Sequence, residues 1–121
     1  EPAGYSVEGG AQAMRRLLAR CAPAPTAVLA ATLVSATGAI AALHEAGISL
    51  PGQISVIAIH EAPIAAMVYP ALTTVQTPLE AMGAAAAELL IDLIEGQKPE
   101  PFRLLPPSGL VVRKSTAPPP T

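Results

Sequence analysis

Apolar positions change their spacing along the chain, and the changes mark out elements. Ala11, Met14, Leu17 and Leu18 fall at helical spacing, with Arg15, Arg16 and Arg20 opposite them. Ser6 is a good N-cap for that helix, and Glu8 lies in its first turn, where the helix dipole favours a carboxylate. Pro23 and Pro25 end it. Thr26–Ala31 is a short apolar run after a turn signal and predicts a buried strand. Val34–Ala46 reads as a helix with Gly47 at its C′ position. Ile54–Ile59 is β-branched and uncharged, which predicts a second buried strand. Pro63–Val68 reads as a short helix opened by proline, and Leu72–Val75 as a third strand. A long helix runs from Pro78 to Glu95 and closes at Gly96. Short strands are expected at Phe102–Leu105 and Leu110–Arg113, with a loose proline-rich tail over Ser115–Thr121.

Strands that alternate with helices imply crossover units. The expected fold class is therefore α/β, a mostly parallel sheet with helices on both faces. Ligands of such sheets sit at the carboxyl ends of the strands. Those ends are Ala31-Thr32, Ile59-His60-Glu61 and Gln76-Thr77. The segments are nominated by topology alone.

Composition narrows the classes. A chain of 121 residues is one domain's worth, with 51% hydrophobic and 13% charged residues. That excludes a highly charged disordered segment. Tyr5, Tyr69 and Phe102 are its aromatic rings, and there is no Trp, so it is no stacking platform for single strands. Seven Lys and Arg residues, scattered in a chain of net charge −2, make no phosphate-tracking surface. Any DNA this protein serves is read by a part outside the chain. Cys21 is alone, so an intrachain disulfide is excluded. No metal site and no cofactor are expected.

The uncharged stretch Cys21–Leu43 is long enough to cross a bilayer but is diluted by Pro23, Pro25, Thr26, Thr32, Ser35, Thr37 and Gly38. A buried strand followed by a buried helix accounts for it better. The start, Glu1-Pro2-Ala3-Gly4, lacks the basic and apolar regions of a signal peptide and lacks Met, and a fragment or processed product is expected. Gly9-Gly10 is not followed by the third glycine of a dinucleotide fingerprint, and no phosphate-loop or nucleophile-elbow motif occurs. His44-Glu45 and His60-Glu61 both lack the second His of a zinc-protease helix. His60-Glu61 stands out because it follows a strand at the expected ligand edge; a ligand-binding role or a plain satisfied loop is favoured there over general acid–base work.

Tyr5-Ser6, Ala13-Met14, Leu17-Leu18, Pro25-Thr26-Ala27-Val28, Ala46-Gly47, Ile54-Ser55-Val56-Ile57, Pro70-Ala71-Leu72-Thr73-Thr74-Val75, Leu93-Ile94-Glu95-Gly96 and Leu110-Val111 with Arg113 and Ser115-Thr116 occur in that order. This resembles the carboxyl-terminal part of a bacterial transcription regulator of the lactose-repressor (LacI/GalR) family. The Leu-Thr-Thr-Val element and the end of the chain carry the likeness most specifically. The resemblance implies the effector-sensing and dimerisation part of a cytoplasmic regulator, expected to be a repressor and not an enzyme. It implies a two-lobed core like that of periplasmic sugar-binding proteins, which closes on a small effector. It assigns residues 5–73 and 109–114 to the second lobe and 78–106 to a returning segment of the first. DNA would be read by a helix-turn-helix outside this chain. A periplasmic sugar-binding receptor shares the fold and is the alternative, though Leu-Thr-Thr-Val favours the regulator. An enzyme using His60 and Glu61 is a second alternative.

Carried over by position, the resemblance puts the effector site at Tyr5, Thr32, His60 and Thr77. Tyr5 corresponds to a ring that stacks on the effector. Thr32 stands where the family has the Asn of an Asn-Asp pair, with Leu33 in place of its Asp. His60 replaces the Asp at the end of the strand, and Thr77 replaces a polar residue that is often Gln. Every polar position departs from the family pattern. The implied effector is therefore less hydroxylated than a free hexose, sugar-like or an acidic metabolite, with a carboxylate or phosphate that His60 can meet. Glu61 is expected to hold His60 in one tautomer. The resemblance also implies a homodimer through Ser6, Val7, Val34, Thr37, Met67 and Val68. Along the long helix, Leu79, Met82, Ala86, Leu89, Leu90, Leu93 and Ile94 form a stripe that should not stay wet.

Overall fold

The computed structural model describes residues 4–119. Its elements are α1 (Val7–Arg20), β1 (Ala27–Ala30), α2 (Leu33–Glu45), β2 (Ser55–Ile59), α3 (Ile64–Met67), β3 (Thr73–Gln76), α4 (Leu79–Ile94) and β4 (Gly109–Val111). Each of the longer helices has a local cause for where it starts or stops. Ser6 Oγ accepts the Gly9 N–H at 3.0 Å and starts α1. Thr32 Oγ1 accepts the Ser35 N–H at 3.1 Å and starts α2. At the far end of α2, Gly47 adopts φ 70°. Its N–H donates to the His44 carbonyl at 3.0 Å, and the Ile48 N–H to that of Leu43 at 2.9 Å. This pair of bonds satisfies the last carbonyls of a helix through a left-handed residue, a conformation that favours glycine. Gly96, at φ 80°, closes α4 in the same way.

The strands lie in the order β1-β2-β3-β4. The first three are parallel, and β4 runs antiparallel on β3. The core sits where α1 and α2 meet the sheet: Met14, Ile40, Leu43, Val56, Ala58 and Leu72 are all buried there, joined by Ala65 of α3. Burial alternates along β2, with Val56 and Ala58 in the core and Ile57 and Ile59 half-buried on the other side. On that second side Leu29, aligned with Ile57, is 61% exposed. Glycine sets the closeness of α1 and α2. A Cβ on Gly38 would stand 1.8 Å from the Val7 carbonyl oxygen, and one on Gly10 would stand 2.1 Å from that of Ser35. Gly9-Gly10 is thus a packing device.

The structure corrects the sequence reading in two segments. Phe102–Leu105 forms no strand. A strand needs a neighbour for its N–H and C=O groups. β4 occupies the open edge of β3, and Phe102 and Leu104 are exposed with no strand beside them. The tail is not loose from its start. Ser115 is fully buried: its Oγ donates to the Val56 carbonyl at 2.5 Å and accepts the Thr73 N–H at 2.8 Å. Thr116 bonds Thr73 Oγ1, and the Ala117 N–H donates to Ser55 Oγ. Polar side chains therefore hold this segment where apolar burial does not. Pro120 and Thr121 lie outside the described residues.

α4 stands apart from this core. Ala85 is its one buried residue, and Leu90, Leu93 and Ile94 are exposed. No described helix is long and apolar enough to cross a membrane. The uncharged stretch Cys21–Leu43 becomes β1 and most of α2.

Candidate functional site

Sheet register sets out the site. Ala30 pairs with Ala58, and Ile59 with Val75. Thr32 and His60 therefore leave adjacent parallel strands at the same level, and His60 leaves beside Gln76. Adjacent strands are about 4.8 Å apart, so Thr32, His60 and Thr77 form a row along the carboxyl edge of the sheet.

His60 is the only non-glycine residue with positive φ, 76°, among those described. Its N–H donates to the Val75 carbonyl at 3.0 Å. Its ring Nδ1 lies 2.7 Å from Thr77 Oγ1. One bond thus joins two of the predicted site residues, and Nε2 is the ring nitrogen that Thr77 does not use. Thr77 also lines a hollow with Gln76, Pro78, Glu80 and Ser108. Thr32 is occupied by the start of α2: besides accepting the Ser35 N–H, its Oγ1 shares a bond of 2.8 Å with Ser35 Oγ. Tyr5 is 91% exposed. It stands with Thr32 on a groove of about 480 Å³ between α1 and β1, which is also lined by Met14 and Leu29. Tyr5 and Thr32 thus share one groove, while His60 and Thr77 are joined beside it.

Glu61 does not hold the His60 ring, contrary to expectation; Thr77 does. Both Glu61 oxygens go to Arg113, with Oε1 2.5 Å from Nη2 and Oε2 3.0 Å from Nη1. Oε2 also accepts from the Thr74 hydroxyl. Arg113 Nη1 donates in addition to the Leu72 carbonyl at 2.9 Å. Hydrogen bonds from Arg113 and then Thr74 hold the Glu61 carboxyl below its ordinary pKa, and burial opposes them. Glu61 in turn raises the Arg113 guanidinium. Arg113 was missed as a site residue. Its sequence signals are its place in the family-like end of the chain and a pair of cations, Arg113-Lys114, directly after the uncharged run Gly109–Val112.

Of the dimer candidates, Val7, Val34 and Met67 are exposed, Met67 by 78%. Ser6 is exposed, although its hydroxyl caps α1. Thr37 is half-buried, and its hydroxyl donates to the Val34 carbonyl at 2.8 Å. Val68 is half-buried against the core, so it adds less to the surface than expected. Ile64 and Tyr69 are exposed beside Met67.

A profile of the periplasmic binding protein-like domain matches residues 1–116. The HTH-type transcriptional regulator MalR of Streptomyces coelicolor is 40% identical over 116 residues, covering 93% of this chain and 32% of its own length. The lactose operon repressor of Rhizobium radiobacter is 38% identical over 90 residues, covering 74% of this chain and 79% of its own. The chain belongs to the LacI family. It spans about a third of the length of MalR. Among solved LacI-family structures, a complex of the transcriptional regulator CelR with cellobiose has a TM-score of 0.80 at 35% identity, covering 93% of this chain and 34% of that one. The dimeric Lac repressor has a TM-score of 0.79 at 30% identity, covering 97% and 42%. These likenesses account for the LacI-family chain's mixed sheet and for the order of its elements.

Proposed function

We propose that this chain is the effector-sensing and dimerisation part of a cytoplasmic, DNA-binding repressor, with no catalytic role of its own. One observation carries the reading: Thr32, His60 and Thr77 stand in a row on the carboxyl edge of a parallel sheet, where such sheets receive ligands. Tyr5, on the adjoining groove, offers a ring face to the same ligand. Residues 5–73 and 109–114 form the second lobe. Residues 78–106 belong to the first lobe, and α4, which buries only Ala85 on this chain, packs there. DNA is reached through a helix-turn-helix outside this chain.

The effector is a small, sugar-like or acidic metabolite. At the strand end a His stands where the family has an Asp. A neutral or cationic ring meets a carboxylate or phosphate better than it replaces an acceptor for sugar hydroxyls. Calorimetric titration of the intact regulator with cellobiose and with inorganic phosphate, as parent and as His60→Ala, tests the reading. Binding is expected to favour the acidic probe and to drop in the variant. Binding that is indifferent to His60→Ala overturns it.

A further inference from the structure

Glu61 lies out of place for a residue that leaves a strand. Ile59 pairs with Val75, so an extended continuation of β2 would carry Glu61 to the level of Thr77. Its carboxylate instead bonds the Thr74 hydroxyl, three residues back along β3. At about 3.3 Å per residue that is roughly 10 Å. The left-handed turn at His60, φ 76°, redirects the chain and brings Glu61 back. A non-glycine residue holds such a conformation only where its surroundings over-determine it. What surrounds it here is the fork of Arg113, which takes both Glu61 oxygens while Nη1 stays on the Leu72 carbonyl. The Arg113 N–H is itself fixed on Thr73 Oγ1 at 2.9 Å.

We infer that Arg113 is a positioning residue for the effector site: its two-pronged grip on Glu61 holds the turn at His60 and keeps the ring on Thr77. The residues after β2 thus tie together the two segments that pass between the lobes. His60 bonds Thr77 on the segment leading into α4, and Glu61 bonds Arg113 on the segment returning through β4. Arg113 and Glu61 touch no ligand in this role; they act through His60. The inference rests on His60 being an effector contact, but its test does not need an effector.

The experiment is nuclear magnetic resonance on the whole chain with ¹⁵N-labelled histidine. It reads the Nδ1 and Nε2 signals of His60 and the backbone coupling that reports its φ. Thr77→Val defines the released ring: its Nδ1 signal shifts, while the backbone coupling stays as in the parent. Arg113→Gln and Glu61→Gln are expected to move Nδ1 to the Thr77→Val position and also to change the coupling. Amide exchange at Val56 and Ala58 is expected to stay slow, which separates loss of positioning from loss of fold. If a Gln variant does not fold, Arg113→Lys, which keeps the charge and loses the fork, decides by the same shifts. A folded variant whose His60 signals match the parent overturns the inference. If the ring signals move while His60→Ala leaves phosphate and cellobiose binding to the intact regulator unchanged, positioning stands and the effector reading falls.

Discussion

Single polar atoms decide more of this molecule than its apolar content implies. The Glu61 carboxyl is held below the ordinary glutamate pKa. Its contribution to stability is therefore fully present above that ordinary value. It fades as pH falls through it toward the lowered folded value. Glu61→Gln should cost about 1.5–3 kcal/mol near neutral pH, and the gap to the parent should close on acidification. Urea midpoints measured from neutral to acid pH check this; a gap independent of pH refutes it. Ser115 is a second such point. Ser115→Ala leaves a buried Thr73 N–H and Val56 carbonyl short of a partner, at a cost of about 1–3 kcal/mol. The measurement is a denaturant midpoint, with faster exchange of the Thr73 amide as its local signature. Neither site was legible beforehand. Ser115 lies in a proline-rich tail that composition marks as loose, and Arg113 carries no mark of the strand it reaches across to.

Helix ends were the most legible elements, because caps act over three or four residues and their chemistry lies within the local sequence. Ser6, Gly47 and Gly96 act where they were expected to. The contact between α1 and α2 was not legible. Gly10 and Gly38 are separated by a strand and two turns, and nothing local says that their backbones meet. Gly38→Ala would raise local helix propensity by about 1 kcal/mol, yet its Cβ would sit 1.8 Å from the Val7 carbonyl oxygen. The clash should win, with a net loss of about 1–3 kcal/mol seen as a lower urea midpoint. Gly83→Ala on α4 meets nothing within 4 Å and should be neutral or stabilising. If both alanines stabilise, the close approach of α1 and α2 is wrong.

At the scale of the whole molecule, two apolar surfaces ask for partners. On the proposed dimer face, Met67 is exposed by 78% on a small acidic chain, and Tyr69, beside it in the chain, by 84%. Met67→Asp should shift a dimer toward monomer in sedimentation equilibrium at high micromolar concentration. A parent that is monomeric there counts against the face. On α4, Leu90 and Leu93 are 58% and 60% exposed. Burying such side chains is worth about 1.5–3 kcal/mol each. The chain alone should bind a hydrophobic dye and exchange its α4 amides quickly, and the intact two-lobed regulator should do neither. Dye binding that is equal in both refutes the assignment of α4 to the first lobe.

The order of strands and helices and the mostly parallel sheet follow from spacing, β-branched runs, prolines and glycines, which act within a few residues of themselves. The row of Thr32, His60 and Thr77 follows from that order alone, since parallel strands bring their ends to one edge. The sequence could not say which partner each side chain takes. Glu61 stands next to His60 in the chain yet binds Arg113, 52 residues away, and Thr77 takes the ring instead. Hydrogen-bond partners are chosen by direction and distance after the backbone has turned, and the left-handed turn at His60 exists only with the sheet and its return strand in place. Phe102–Leu105 makes the same point from the other side: its pattern suits a strand, but a strand is a relation to a neighbour, and this chain gives it none.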